Sequence, residues 1–185
     1  MSDTTITTRT ISDDPSILYY TYMLMNRLNC NIRYYNYFEN AWEANEIMDG
    51  IYLGALSSSY NKEELKKKRI THVVSVLAGY DPPFPGEFNY MVINALDNNN
   101  SKLIDVFDEV NAFIADAIMN NENVLIHCAY GRSRSATITA AYLIHTFGMD
   151  VERVLSVLKS KRSIVEPNAN YINQLNEYYK IKFEV

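Results

Sequence analysis

From residue 46 onward, short apolar runs alternate with longer stretches whose apolar residues recur every three or four positions, the pattern of strands separated by helices. Residues 51–54 (IYLG) read as a strand ending at a glycine, and 72–77 (HVVSVL) as a buried, β-branched strand. Between them, 61–69 reads as a polar helix. Residues 79–86 (GYDPPFPG) form a loop, because three prolines there can neither continue a helix nor sit in a central strand. A third strand is expected at 90–95 (YMVINA). An amphipathic helix follows at 103–119, with Val106, Phe107, Val110, Phe113, Ile114 and Ile118 on one face. A fourth strand at 123–126 runs into His127-Cys128, and an apolar helix at 135–146 ends at Gly148. Helices at 151–159 and 168–179 complete the pattern, which predicts an α/β domain with a central, mainly parallel sheet flanked by helices.

Ahead of residue 46 the pattern is different. The first dozen residues are polar, and Ser12-Asp13-Asp14-Pro15 has the composition of a helix start. Ile17, Leu18, Tyr20, Met23, Leu24 and Leu28 follow at helical spacing, so a helix is expected over 15–30, packed on the domain or serving substrate docking or a homodimer. Residues 31–42 are crowded with tyrosine and asparagine, as is much of a chain with 15 tyrosines, and suggest no separate function. The expected organisation is an N-terminal extension over 1–45 and one catalytic domain over 46–185, a length that suffices for one sizeable core.

Charge and cysteine content narrow the class. A formal net charge of -5 lacks the basic footprint that holds a nucleic-acid backbone, so no nucleic-acid partner is expected. The Lys66-Lys67-Lys68-Arg69 run reads first as a solvated helix face. No apolar run approaches the roughly 20 residues of a membrane span, and the N-terminus has no signal-peptide profile. A cytoplasmic location, with the nucleus also open, and no membrane partner are the expectation. Two cysteines, Cys30 and Cys128, suggest no disulfide scaffold.

The chemistry is concentrated where the fourth strand meets the helix, in VLIHCAYGRSRSAT over 124–137. A strand delivers Cys128 into a loop of Ala129, Tyr130, Gly131, Arg132 and Ser133 that opens directly into a helix. Its backbone N–H groups then converge beside the positive end of a helix dipole, an arrangement suited to an oxyanion. Arg134, six residues beyond the cysteine, can present a planar fork to two phosphate oxygens. The same positive surroundings favour a Cys128 thiolate. Expelling an alkoxide or phenoxide needs a proton donor. Asp97, just after the strand at 90–95, falls at the carboxyl edge of a parallel sheet where the Cys128 loop also lies. Asp105 and Asp108 compete for that role but belong to the polar face of the 103–119 helix, and His72 and His145 are read as structural.

At these residues the chain resembles the cysteine-dependent dual-specificity protein phosphatases of the protein tyrosine phosphatase superfamily. The family pattern His-Cys-x-x-Gly-x-x-Arg-Ser, then Ala-Thr and an Ala-Tyr-Leu helix, stands here at 127–135, 136–137 and 141–143. Further likenesses are 47–54 (IMDGIYLG), 70–73 (ITHV), Asp97 at the general-acid position, 162–168 (RSIVEPN) and Gln174-Leu175. The resemblance implies a phosphocysteine intermediate on Cys128, phosphate binding by Arg134 and the 129–133 loop, and proton transfer by Asp97. It also implies a Ser135 hydrogen bond to the sulfur, with His127 and Asn168 in supporting positions. It implies no metal and no cofactor.

Substrates would be phosphorylated proteins, a kinase among the candidates, and a chain this short implies a shallow pocket that takes phosphoserine, phosphothreonine and phosphotyrosine. Two residues depart from the usual loop: Tyr130 is bulky, and Arg132 adds a cation suited to a second anionic group nearby. Arg132 keeps a phosphoinositide or RNA 5′-phosphate substrate as an alternative, and a non-catalytic phosphoprotein-binding module is a second.

Overall fold

The computed structural model describes residues 41–184, so the expected 15–30 helix, most of the aromatic stretch and Cys30 lie outside the described residues. The chain forms β1 (Ala44–Met48), β2 (Ile51–Gly54), α1 (Leu56–Tyr60), α2 (Lys62–Lys67), β3 (Ile70–Val76) and β4 (Asn89–Ile93). A 3-10 turn (Ile104–Val106) then leads into α3 (Phe107–Met119), β5 (Asn123–His127), α4 (Arg134–Phe147), α5 (Val151–Lys161) and α6 (Ala169–Phe183). One five-stranded sheet runs in the order β1-β2-β5-β3-β4, with β1 antiparallel to β2 and every other neighbour parallel.

The central strands are continuously apolar because both sheet faces are covered. β5 sends Val124 and Ile126 into a large core formed with Phe107, Ile114, Ile138, Leu158 and Leu175 of α3 to α6. Its intervening Leu125 joins Tyr52, Leu65, Val73 and Phe88 on the face covered by α2, the period of two that a pleated strand imposes. α4 is the central helix, buried at each position from Arg134 to Ile144, and its last turn closes on Gly148 at φ 63°, a conformation that suits glycine.

Two elements have weak sequence signals. β1 is a largely exposed edge strand without alternating apolar residues, and the Asp49-Gly50 pair that turns it into β2, with Gly50 at φ 78°, is its one local cue. α1 is a buried serine-rich turn (LSSSY), stabilised by tertiary bonds: Glu43 N donates to Ser58 Oγ at 2.8 Å and Tyr80 Oη to Ser59 Oγ at 3.0 Å. β1 and the Glu43 contact place folded chain ahead of residue 46. The helix expected over 103–119 starts instead as a 3-10 turn, because Gln174 Oε1 accepts the Leu103 and Ile104 N–H groups at 2.7 and 3.0 Å and so satisfies donors that an α-helix start leaves open.

Candidate active site

Parallel β2, β5, β3 and β4 bring their carboxyl ends to one sheet edge, where the loop after β5 and the loop after β4 lie side by side. Cys128 leaves β5 buried, with 1 % of its surface exposed. The five carbonyls that follow all turn outward to partners. Ala129 O accepts from Leu56 N at 3.2 Å, Arg132 O from Glu166 N at 2.8 Å, and Ser133 O from Thr137 N at 2.8 Å. Tyr130 O and Gly131 O both accept from Arg162, through Nη2 and Nε at 2.9 Å each. In a trans peptide the next N–H points opposite to the carbonyl, so this arrangement aims the loop's N–H groups inward around the sulfur. Gly131 is required by both its φ of 66° and its surroundings: an added Cβ would lie 2.6 Å from the Gly54 carbonyl and 2.8 Å from Arg162 Nη2.

The thiol is tuned by opposing effects. Burial pushes its pKa up, but the Arg134 guanidinium, the Ser135 hydroxyl and the Ser135 and Arg132 backbone N–H groups outweigh burial and hold it below the ordinary thiol value. Ser135 Oγ donates to Cys128 Sγ at 3.1 Å. Arg134 is buried; its Nη1 donates to Ala95 O at 3.1 Å. Its Nε has no hydrogen-bond partner among the described residues and lies 3.8 Å from Asp97 Oδ2. A buried guanidinium N–H left open beside a thiolate is a donor waiting for an oxyanion.

Asp97 sits in the loop after β4 with its other oxygen fixed twice, by Ser133 Oγ at 2.8 Å and Asn168 Nδ2 at 2.7 Å. Asn168 also caps α6, its Oδ1 accepting from Tyr171 N at 3.0 Å, while its own N–H reaches Ser133 Oγ at 3.3 Å. It thus ties the Asp97 loop, the cysteine loop and a helix together. Tyr171 Oη donates to Leu96 O at 2.7 Å and steadies the same loop. His127 is fully buried behind the cysteine, with Nε2 2.7 Å from Ser75 Oγ. Burial holds its imidazole neutral, with a pKa pushed down to about 3, the Cys128 backbone acting upward and the Arg134 cation downward.

Of the two unusual loop residues, Tyr130 packs half-buried against a small cluster of Leu56, Tyr60, Leu77, Tyr80 and Ala129. Arg132 turns its side chain out of the loop and pairs with Glu166, so its guanidinium is already occupied by an internal carboxylate. Asp105 is exposed, and Asp108 accepts from Tyr178 Oη at 2.6 Å and Lys182 Nζ at 3.0 Å, far from the cysteine loop in the α3–α6 contact. Arg162 and Glu166 carry no role in the sequence reading. Both lie in the RSIVEPN stretch, and a lone arginine after a helix signals nothing until its carbonyl partners are known.

A buried, ionisation-prone cysteine in an N–H-lined loop, with an open arginine fork and an anchored carboxylate at the edge of a parallel α/β sheet, defines a cysteine-dependent phosphatase. The chain belongs to the dual specificity phosphatase family: the family described as "Dual specificity phosphatase, catalytic domain" matches residues 51–181. It is 37 % identical over 142 residues to Dual specificity protein phosphatase 1B of Arabidopsis thaliana, covering 77 % of this chain and 85 % of that protein. With Dual specificity protein phosphatase 1 of the same plant it shares 39 % over 134 residues, 72 % and 68 % of the two chains. The solved structure of human tyrosine phosphatase-like serine/threonine/tyrosine-interacting protein superposes with a TM-score of 0.73 at 32 % identity, covering 75 % of this chain and 97 % of that one. The chain is accordingly a protein phosphatase whose substrates are phosphoproteins.

Proposed function

We propose that this protein hydrolyses phosphotyrosine, phosphoserine and phosphothreonine in proteins, kinases among them, by a two-step transfer through Cys128. The Cys128 thiolate attacks phosphorus while Arg134 and the 129–133 loop hold the non-bridging oxygens; the P–O bond to the substrate breaks, and Asp97 gives its proton to the departing oxygen. In the second step Asp97, now a carboxylate, takes a proton from water as that water attacks the phosphocysteine. The S–P bond breaks, inorganic phosphate leaves, and Ser135 donates to the returning thiolate. The observation that carries this reading is the convergence of Cys128, Ser135, the open Arg134 Nε and Asp97 at one sheet edge.

Retention of all four groups supports turnover over binding alone, and the engagement of Arg132 by Glu166 weighs against a strongly basic mouth of the kind a phosphoinositide or RNA end would use. The test is single-turnover hydrolysis of an aryl phosphate and a doubly phosphorylated peptide, without metal. Wild type is expected to process both, Cys128→Ser neither, and Asp97→Asn to be slowed by about 100-fold or more, chiefly where the leaving group is poor. Wild type inert on both substrates, or Cys128→Ser fully active, would sink the reading.

A further inference from the structure

A cleft of about 520 Å³ adjoins the cysteine loop, lined by Tyr130 and Arg132 of the loop and by Lys159, Ser163, Ile164, Val165 and Glu166. Because Tyr130 and Arg132 belong to both the cleft and the anion cradle, a peptide whose phosphate occupies the cradle carries its neighbouring residues past this cleft. Consecutive Cα atoms are only about 3.8 Å apart. The cleft holds two cations, Arg132 and Lys159, and one carboxylate, Glu166, which is paired with Arg132 and lies in the field of Lys159.

We propose that Glu166 makes this cleft indifferent to the charge of a side chain flanking the phosphorylated residue, by occupying the Arg132 guanidinium that an anionic side chain would otherwise take. This inference rests on the phosphopeptide hydrolysis proposed above.

Exchange produces the indifference. The Arg132 and Glu166 side chains are 57 % and 62 % exposed, so their pair is solvated and readily exchanged. Glu166 is nonetheless tethered, because its backbone N–H donates to Arg132 O at 2.8 Å; its carboxylate is therefore held at high local concentration. A substrate aspartate or glutamate that displaces it trades one carboxylate for another and gains nothing. Remove the internal carboxylate and the same flanking residue meets an unpaired arginine.

The experiment compares phosphopeptides that differ only in Glu or Gln at positions within two residues of the phosphorylated one, read as the ratio of kcat/KM. Wild type is expected to show a ratio near one. Glu166→Gln is expected to raise it about two- to fivefold at low salt, with the gain shrinking as salt rises. The double variant Arg132→Gln/Glu166→Gln should lose that gain, and Glu152→Gln, which removes a like charge at the opposite end of α5, should leave the wild-type ratio. A ratio unmoved by Glu166→Gln, a gain that survives loss of Arg132, or an equal gain from Glu152→Gln would each overturn the proposal. Peptide affinity measured in the Cys128→Ser background gives the same ratio without turnover. An enzyme inactive on every peptide therefore defeats the hydrolytic reading while the role of Glu166 is still decided.

Discussion

Cys128 lies where burial alone would keep a thiol protonated, and its ionisation depends on a few neighbours: the Arg134 cation, the Ser135 hydroxyl and two backbone N–H groups. Ser135 is separable from the arginine because its hydroxyl reaches the sulfur directly, at 3.1 Å. Alkylation by iodoacetamide as a function of pH should give a midpoint below the ordinary thiol value of about 8.5. Ser135→Ala should move that midpoint upward, since the hydrogen bond favours only the charged form, and should slow phosphocysteine breakdown by about 10–100-fold, the loss expected for a hydrogen bond to a charged group. A midpoint unchanged by the substitution would show that Ser135 does not reach the sulfur. Cysteine and arginine were legible in the sequence, because a strand-loop-helix with fixed spacing is a local feature, whereas the role of Ser135 came only from the family resemblance. Arg162 and Glu166 were not legible, because their partners lie about 30 residues away along the chain.

The loop as an element owes its shape to its carbonyls. Arg162 is buried at 8 % exposure and holds two of them, while its Nη1 reaches Asn45 Oδ1 of β1 at 2.8 Å. An edge strand without a clear sequence signal is thereby connected to the phosphate cradle. Arg162→Gln is expected to lower kcat/KM by about 10–100-fold and to weaken inhibition by vanadate in parallel, because the inward N–H set is no longer held before the anion arrives. Arg162→Lys keeps the charge but cannot hold both carbonyls, and should fall between. Equal kcat/KM in wild type and Arg162→Gln would contradict this role. Among the helices, α2 was readable as a polar run, α3, α5 and α6 from their apolar pattern and α4 also from Gly148 at its end, whereas α1 was not. Its serines have little helix propensity, and the donors to Ser58 and Ser59, Glu43 N and Tyr80 Oη, come from elsewhere in the fold.

At the scale of the whole molecule, enclosure of the sheet leaves His127 buried and neutral beneath the site. Unfolded, this imidazole titrates near 6.5; folded, near 3. Between those values the unfolded chain binds a proton that the folded chain does not, so stability falls as pH drops below about 6.5 and this contribution levels off near pH 3. The slope attributable to His127 is about 1.4 kcal/mol per pH unit in that window. Denaturant unfolding between pH 6 and 4 should show it, and His127→Asn should flatten the slope whatever its effect on overall stability; an identical slope in the variant would assign the effect to other groups.

Strand and helix alternation and the cysteine loop were readable from the chain alone, since hydrophobic period and motif spacing are written in neighbouring residues, and Asp97 became the candidate acid through the sheet edge that this alternation implies. Only the folded chain shows how Asp97, Ser133 and Asn168 meet across separations of 36 and 71 residues, which arginine holds the loop open, and which carboxylate occupies Arg132. Those outcomes depend on strand order and on the crossing of helices over the sheet, which bring distant residues to one edge, and no local pattern encodes that meeting.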